Sequence, residues 1–533
     1  MRILIFHGYL LGGTGSNVYN ARLAAALVGL GHEVHLLSQD RHPEAHAFVD
    51  AVGDWDDGTL RVRELEREAH PGRCTVYRPN IGPLLPVYVA DRYEGIEART
   101  FAQCSDEEVA RYIDANVAAV AELVALARPE VALANHLVMG PVILARGLGG
   151  TVPYAVKVHG SALEYTVKPQ PERFLGLARE GIEGARAVLV GSHHTAASLW
   201  AALGDAELPK RTRLGPPGVD VERFTLRDPA QAAAAVRGLA ARLRASGEDH
   251  ERQGADATAQ EGGADAFARD ESAAAQALER LDPEHDLLVA FVGKLIVSKG
   301  VDLLIAAWPL VLEQVPRARL VLVGFGAYRD GLERLLAALA DGELGQAREI
   351  ALAGRALEDD RVAPRPLTHL LAFLDGLEGL ERERYLAAAR GLEDRVVLTG
   401  RMDHAELAEL LPACEAVVVP STFPEAFGMV AAEGAACGAL PISAGHSGLA
   451  EVSEVLARAV EEPVAGLLSF PVDDLAVGAL AARLIAWLQV DAQVRSRTRE
   501  GLVATVRERW SWDGVARGVI AAARGELDAL AEP

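Results

Sequence analysis

Two glutamates eight positions apart, Glu425 and Glu433, sit in PSTFPEAFGMVAAEGAACGALPISAGHSGLAE, residues 420–451. Carboxylates accept hydrogen bonds, so two of them on one sheet edge suit the hydroxyls of a ribose and a sugar. Glu425 falls in a Pro/Phe-rich loop and Glu433 on the helix expected after it. The apolar stretch ACEAVVVP just before reads as a buried strand. Strand, loop and helix in that order put both carboxylates at the carboxyl edge of a parallel sheet, where open α/β folds bind ligands.

A second cluster is VGKLIVSKG, 292–300. Lys294 and Lys299 follow a strand and precede a helix, five positions apart. A departing diphosphate gathers negative charge as its bond breaks, and two fixed cations stabilise it without a metal. Two lysines in a loop are ordinarily just solvated; the glutamate pair downstream favours the functional reading.

The first half offers GYLLGGTGSNVYN, 8–20. Its glycines allow close backbone approach, and the helix N-terminus that follows offers unpaired N–H groups to an anionic or hydroxyl-rich ligand. Gly13 and Gly15 fit the start of a dinucleotide-binding G-x-G-x-x-G, but Val18 occupies the last glycine position. Asp40, after the second strand, leaves an NAD enzyme open on this half alone. His159 ends the strand of VKVHG, 156–160, where a lone histidine is more often structural than functional. His7 also ends a strand and could line the same place. The adjacent pair His193–His194 has no acidic or thiol partner nearby in sequence, and no metal site is expected.

These residues need elements to hold them. The opening reads as strand (Arg2–His7), Gly-rich loop, helix (about Val18–Leu30) and strand (GHEVHLLSQ), a βαβ start. Further strands are expected at 131–136, 154–160 and 187–192, with helices such as Asp106–Ala127 and Pro171–Gly184 between them. The second half repeats the pattern with strands at 287–293, 318–324, 395–400, 416–421 and 439–444. Alternation of this kind implies parallel sheets with helices on both faces. RLGPPGVDVERF, 213–224, has the prolines and glycines of a domain join. The expected domains are 1–215 plus 505–533, and 216–504. Two stretches interrupt the second. In 228–284 the alanines allow helix, while GEDHERQGADATAQEGGADAF, 247–267, is expected to be loosely ordered, and 341–393 to form an inserted helical hairpin. Self-association through these insertions stays open.

Bulk composition bounds the rest. A chain of 533 residues, half of them apolar, exceeds one ordinary core. The net charge of −22 argues against nucleic acid or an anionic bilayer as a general partner. The four cysteines lack metal or disulfide spacing and read as buried free thiols. No apolar run reaches the ~18 residues of a membrane span. The opening strand is too short for a secretory signal. An integral membrane protein is not expected, peripheral association stays open, and the expected location is the cytoplasm.

PEAFGMVAAE resembles the Glu-seven-residues-Glu motif of family-four retaining glycosyltransferases of the GT-B fold. VGKLIVSKG is similar to that family's phosphate clamp, with Lys294 where arginine is usual. PPGVDVERF (216–224) and WSWDGVA (510–516) extend the likeness over both halves. The resemblance implies two Rossmann-like domains facing a cleft, with the closing stretch forming a terminal helix that crosses back onto the first. It implies that Glu433 holds the ribose, that Glu425 and the amides of Ala426, Phe427 and Gly428 face the donor sugar or its phosphate, and that Arg401 lies beside the base. His159 would hydrogen-bond the donor sugar near the reacting centre. The family's Gly-Gly loop resembles Gly13–Gly15, with Asn17 where many members carry Glu; Asn17 and Tyr19 fall on the acceptor side. Ser192 matches a family serine, and Ser447-Gly448 stand near the usual Gly-Gly, with Glu451 read as structural.

The function so implied is metal-independent, cofactor-free transfer of a hexose, with retention, from a nucleotide-diphosphate sugar to a hydroxyl acceptor. UDP-sugar is favoured and GDP-mannose second; the acceptor stays open. The rivals are a GT-B relative with hydrolase, epimerase or sucrose-type synthase chemistry, and a non-catalytic nucleotide-sugar-binding scaffold.

Overall fold

The computed structural model describes residues 1–12, 15–88, 97–254, 270–358 and 363–533, with the side chains of 249–254 left aside. The chain divides into two units, Met1–Gly218 with Trp510–Pro533, and Val219–Arg509. The divisions fall three and five residues beyond those expected at 215 and 504.

The first unit carries β1 (Arg2–Phe6), β2 (Glu33–Leu37), β3 (Ala51–Asp56), β4 (Thr59–Glu64), β5 (Arg73–Arg78), β6 (Leu84–Val87), β7 (Glu97–Thr100), β8 (Val131–Asn135), β9 (Tyr154–Lys157), β10 (Ala187–Val190) and β11 (Thr212–Leu214). Nine of these form one sheet in the order β11-β10-β9-β8-β1-β2-β5-β3-β4, and β6 pairs with β7. Every pairing in the large sheet is parallel except β3 with β4. The β3–β4 hairpin and β5 are absent from the sequence reading. The hairpin turns at Asp57 and Gly58, both with positive φ, so the Asp-Gly pair was the available signal. In register, Phe6 lies between Leu37 and Ala134. The chain therefore leaves β1 toward β2 and returns on its other side at β8, and loops at such a reversal splay apart to leave room for a ligand.

The second unit carries β12 (Leu287–Val292), β13 (Ala318–Val323), β14 (Val396–Gly400), β15 (Cys414–Val419), β16 (Leu440–Ala444) and β17 (Ser469–Phe470), all parallel, in the order β14-β13-β12-β15-β16-β17. Runs such as LLVAFV are apolar throughout because helices cover both faces. Helix Val301–Gln314 is buried along most of its length, and Trp308 is fully buried. Here the reversal falls between β12 and β15, and the two loops there carry Lys299 and Glu425.

Three expectations need correction. The 341–393 insertion is not a hairpin. It folds as helices Leu344–Ala353, Thr368–Gly376 and Gly379–Ala389, with a short 3-10 turn at Arg355–Leu357. In 228–284, helix Pro229–Gly254 covers the alanine-rich start and continues into 247–254, the first eight residues of the segment expected to be loose, and helix Glu271–Glu279 follows; alanine outweighs the glycines there. Residues 255–269 lie outside the described residues. The closing stretch is two helices, Ala492–Trp510 and Trp512–Arg524. Ser511 separates them, extended and capping the second through its side chain to the Gly514 amide. Among the described residues, no helix is long and apolar enough to cross a membrane.

Candidate active site

In the second unit, β12 ends at Val292 and the chain turns through Lys294 to a single 3-10 turn, Val297–Lys299. Gly300 then enters the next helix with φ +65, and a Cβ there would stand 2.1 Å from the Pro420 carbonyl oxygen. Only glycine lets the two loops come this close. Thr422 N donates to the Ser298 carbonyl at 2.9 Å, and Ser421 Oγ reaches the same oxygen at 3.0 Å. This stitching brings Lys299 Nζ onto the Glu425 carboxylate, an ion pair further bound by Ser421 Oγ, 2.9 Å from Glu425 Oε1.

The backbone of Glu425 is fixed as firmly as its side chain. Its amide donates to Ser447 Oγ at 2.9 Å, and its carbonyl accepts from Gly448 N at 2.9 Å. Ser447 adopts a left-handed φ of 53, a strain of about 1 kcal/mol or more for a side-chain-bearing residue. A Cβ at Gly448 would stand 2.6 Å from the Ala426 carbonyl oxygen. Ser447-Gly448 therefore clamp the Glu425 loop. His446 Nε2 adds a bond to the Ser421 carbonyl at 2.8 Å.

Ala426 and Phe427 are half-buried and Gly428 is buried at the start of helix Met429–Ala436. Glu433, on that helix, is 5% exposed. Its carboxylate lies 3.4 Å from His404 Nε2, a partner the sequence reading missed. Arg401 extends past Gly400 at the end of β14, its guanidinium carbon 5.9 Å from the Phe325 ring centre. Lys294 is exposed. Lys294, Lys299, Arg401, Glu425 and Glu433 thus come from the loops after β12, β14 and β15 and the helix after β15 of one unit.

The first unit builds its edge from neutral groups. A hydrogen-bonded chain runs from the glycine loop to His159. Asn17 Nδ2 donates to the Gly12 carbonyl at 2.7 Å, and Asn17 Oδ1 accepts from His7 Nε2 at 3.0 Å. Asn20 Nδ2 donates to His7 Nδ1 at 3.0 Å. Asn135 Nδ2 donates to Asn20 Oδ1 at 2.7 Å, and Asn135 Oδ1 accepts from His159 Nε2 at 2.8 Å. The amide directions assign the proton of each imidazole to Nε2, leaving the lone pair of His159 on Nδ1. Burial pushes the His7 pKa down to about 4. Burial, reinforced by His136 and Lys157, holds His159 well below the ordinary histidine value. Both rings are neutral near pH 7.

Tyr19 packs edge-on to His159 at 5.0 Å and to Trp512 at 5.5 Å. The expected acceptor-side residues thus stand as supports: Tyr19 is 2% exposed, and fully buried Asn17 is engaged with His7 and the glycine loop. Lys157, also buried, donates to the Gly215 carbonyl and lies over the Tyr19 ring; burial lowers its pKa to about 7. Gly13 lies outside the described residues. Gly15 is the first residue of helix Gly15–Gly29. Asp40, the acid that kept an NAD enzyme open, holds the glycine loop instead by accepting from Leu11 N at 2.8 Å. Ser192 caps helix His193–Leu203 through the Thr195 amide. Among the described residues, no group of three or more His, Cys, Asp or Glu could hold a metal ion.

Residues 14–218 match the model of the glycosyl transferase 4-like domain, and residues 368–495 that of the glycosyl transferases group 1. The chain belongs to the family-four glycosyltransferases. A D-inositol 3-phosphate glycosyltransferase from Frankia alni is 27% identical to this glycosyltransferase over 446 residues, covering 82% of the chain and 84% of the relative. A protein of the same name from Segniliparus rotundus is 29% identical over 263 residues, 49% of the chain and 44% of the relative; there the chain spans less than half of the relative's length. In fold, the glycosyltransferase is similar to sucrose-phosphate synthase from Thermosynechococcus elongatus, with TM-score 0.54, 19% identity and 99% of both chains covered. It is also similar to Anabaena HepE in complex with UDP-glucose, with TM-score 0.52, 16% identity, and 98% and 99% covered. These neighbours establish the GT-B fold for this glycosyltransferase.

Sequence reasoning missed Asn20, Asn135, Ser421, His404 and His446. Asn20 and Asn135 had a partial signal, being polar residues on otherwise apolar faces. His404 and His446 gave none, since Glu433 and Ser421 lie 29 and 25 residues away; Ser421 sits four residues from Glu425 but reads locally as a strand end.

Proposed function

We propose that this glycosyltransferase moves a hexose, with retention and without a metal, from a nucleotide-diphosphate sugar to a hydroxyl acceptor, with a UDP-sugar ahead of GDP-mannose as donor. The Lys299–Glu425 pair carries the reading. Its side chains are 30% and 23% exposed, and such a pair contributes only about 0–1 kcal/mol to stability. Two charges pinned by Ser421, Ser447 and Gly448 at a sheet reversal are better explained by ligand chemistry.

The second unit would hold the donor. Glu433 takes the ribose hydroxyls, and Glu425 with the amides of Ala426, Phe427 and Gly428 takes the sugar. Lys294 and Lys299 supply the positive charge that a metal would otherwise provide, and the diphosphate competes with Glu425 for Lys299 Nζ. The first unit would hold the acceptor, with His159 Nδ1 accepting from a sugar hydroxyl. The bond from the anomeric carbon to the phosphate oxygen breaks, and the acceptor oxygen bonds on the same face. Its proton passes to the departing phosphate. The Anabaena neighbour's complex with UDP-glucose supports the donor class. The four free, buried cysteines agree with a reducing compartment such as the cytoplasm.

The test is turnover of UDP-glucose and GDP-mannose over a panel of hydroxyl acceptors that includes inositol 3-phosphate, with product anomers read by NMR and the reaction repeated in EDTA. The reading expects an α-linked product from an α-donor, undiminished by EDTA. An inverted product, or activity abolished by EDTA and restored by a divalent cation, contradicts it.

A further inference from the structure

Behind the loops that carry Lys299 and Glu425, the second unit contains a cavity of about 250 Å³. Its walls are unlike the donor edge. Ser298 and Thr422 line it from the two stitched loops, and Arg355, Arg365 and His369 line it from the 341–393 insertion. Arg355 and Arg365 are joined through their backbones, Arg355 N donating to the Arg365 carbonyl at 3.2 Å. Neither guanidinium has an ion pair or side-chain hydrogen bond with a described residue, in a chain of net charge −22. Arginine presents a planar fork of donors that fits phosphate oxygens two at a time.

A second observation points the same way. Asp302 lines this cavity while only 3% exposed, and its Oδ1 has no hydrogen-bond partner. A buried polar atom left unpaired costs about 1–3 kcal/mol, and a ligand hydroxyl would satisfy it. Burial raises the Asp302 pKa to about 7, so near neutrality much of this carboxyl is uncharged and repels an anion little. His369 adds a ring whose Nδ1 is 3.6 Å from an Asp474 oxygen. Glu358, next to the 3-10 turn that carries Arg355, accepts from Val297 N at 2.7 Å.

We propose that this cavity binds a small phosphorylated molecule, with Arg355 and Arg365 on the phosphate and Asp302 on a hydroxyl of its carbon skeleton. The ligand is distinct from the sugar donor. It stands against Ser298 and Thr422, whose hydrogen bond sets the spacing of the Lys299 and Glu425 loops, so occupancy tightens that spacing. The insertion then has a role, forming the far wall of an effector site.

The experiment uses the full chain saturated with UDP, so that the donor edge is filled, and follows the melting temperature and calorimetric binding with inorganic phosphate and with glycerol 3-phosphate. The expected result is a saturable rise in melting temperature, with glycerol 3-phosphate binding at least 10-fold more tightly than phosphate. Arg355→Ala/Arg365→Ala removes the response while keeping the unliganded melting temperature and the affinity for UDP. Arg365→Glu, a change at an exposed position, weakens it at least 10-fold should the double variant fold poorly. Equal binding of the two probes would reject the role of Asp302. No response of the wild type to either, or a response unchanged in the variants, would overturn the site.

Discussion

The two sheet edges solve opposite electrostatic problems. In the first unit, His7, Asn17, Asn20, Asn135 and His159 form a neutral, closed hydrogen-bonded chain, with His7 and the asparagines almost fully buried. In the second, Lys299 and Glu425 are charged, half-buried and held by loop backbone. A neutral network orients a group without binding charge. A charged loop attracts and stabilises an anion that appears during reaction. Under the proposed function, the contrast would give orientation to one unit and leaving-group stabilisation to the other.

The comparison can be broken most sharply at Lys299. Lys299→Ala is expected to lower kcat at least 100-fold, the scale of a lost oxyanion donor, with the melting temperature almost unchanged because a half-exposed pair adds little stability. Near-normal turnover would move leaving-group stabilisation elsewhere. Gly300→Ala sharpens the same edge without touching a charge. Its Cβ collides with the Pro420 carbonyl, so about 1–3 kcal/mol of stability is lost and UDP binds at least 10-fold more weakly; unchanged UDP affinity would show that the loop spacing is immaterial. On the neutral edge, Asn135→Ala frees His159 Nε2 and is expected to lower kcat about 10-fold with little change in the KM for donor. A rise in donor KM alone would show that the chain binds rather than orients.

A further effect is on pH-dependent stability, and its readout in one variant is the subtlest. Folded His7 stays neutral down to about pH 4, whereas an unfolded histidine titrates near 6.5. The unfolded state therefore takes up a proton first as pH falls, and stability present above pH 6.5 is lost between 6.5 and about 4. The loss approaches roughly 3 kcal/mol for this ring, at about 1.4 kcal/mol per pH unit. His7→Gln should show a shallower fall in melting temperature from pH 7 to pH 5. An equally steep fall would place the acid-sensitive group elsewhere.

Legibility in the sequence followed the same division. The strands of the second sheet were readable because both faces are buried and the runs are apolar, as in LLVAFV and CEAVVV. Lys299, Glu425 and Glu433 stood out as charges punctuating those runs. The first unit's network was less readable, because Asn20 and Asn135 lie 115 residues apart and meet only when β1 and β8 pair. Tyr19 and Asn17 looked like ligand contacts by position, and their burial shows them as supports. The insertion reads as a hairpin because its apolar spacing reports helices but not how many; the break at Gly354 and its bridge to Arg365 depend on a backbone pairing that no local pattern encodes.

The division between the edges is tested most directly by calorimetric titration of UDP, which carries the diphosphate but no sugar. Lys299→Ala should weaken UDP binding at least 10-fold, about 1.4 kcal/mol, while His159→Ala stays within twofold of the wild type. Equal losses in both variants, or full UDP affinity in Lys299→Ala, would contradict the account.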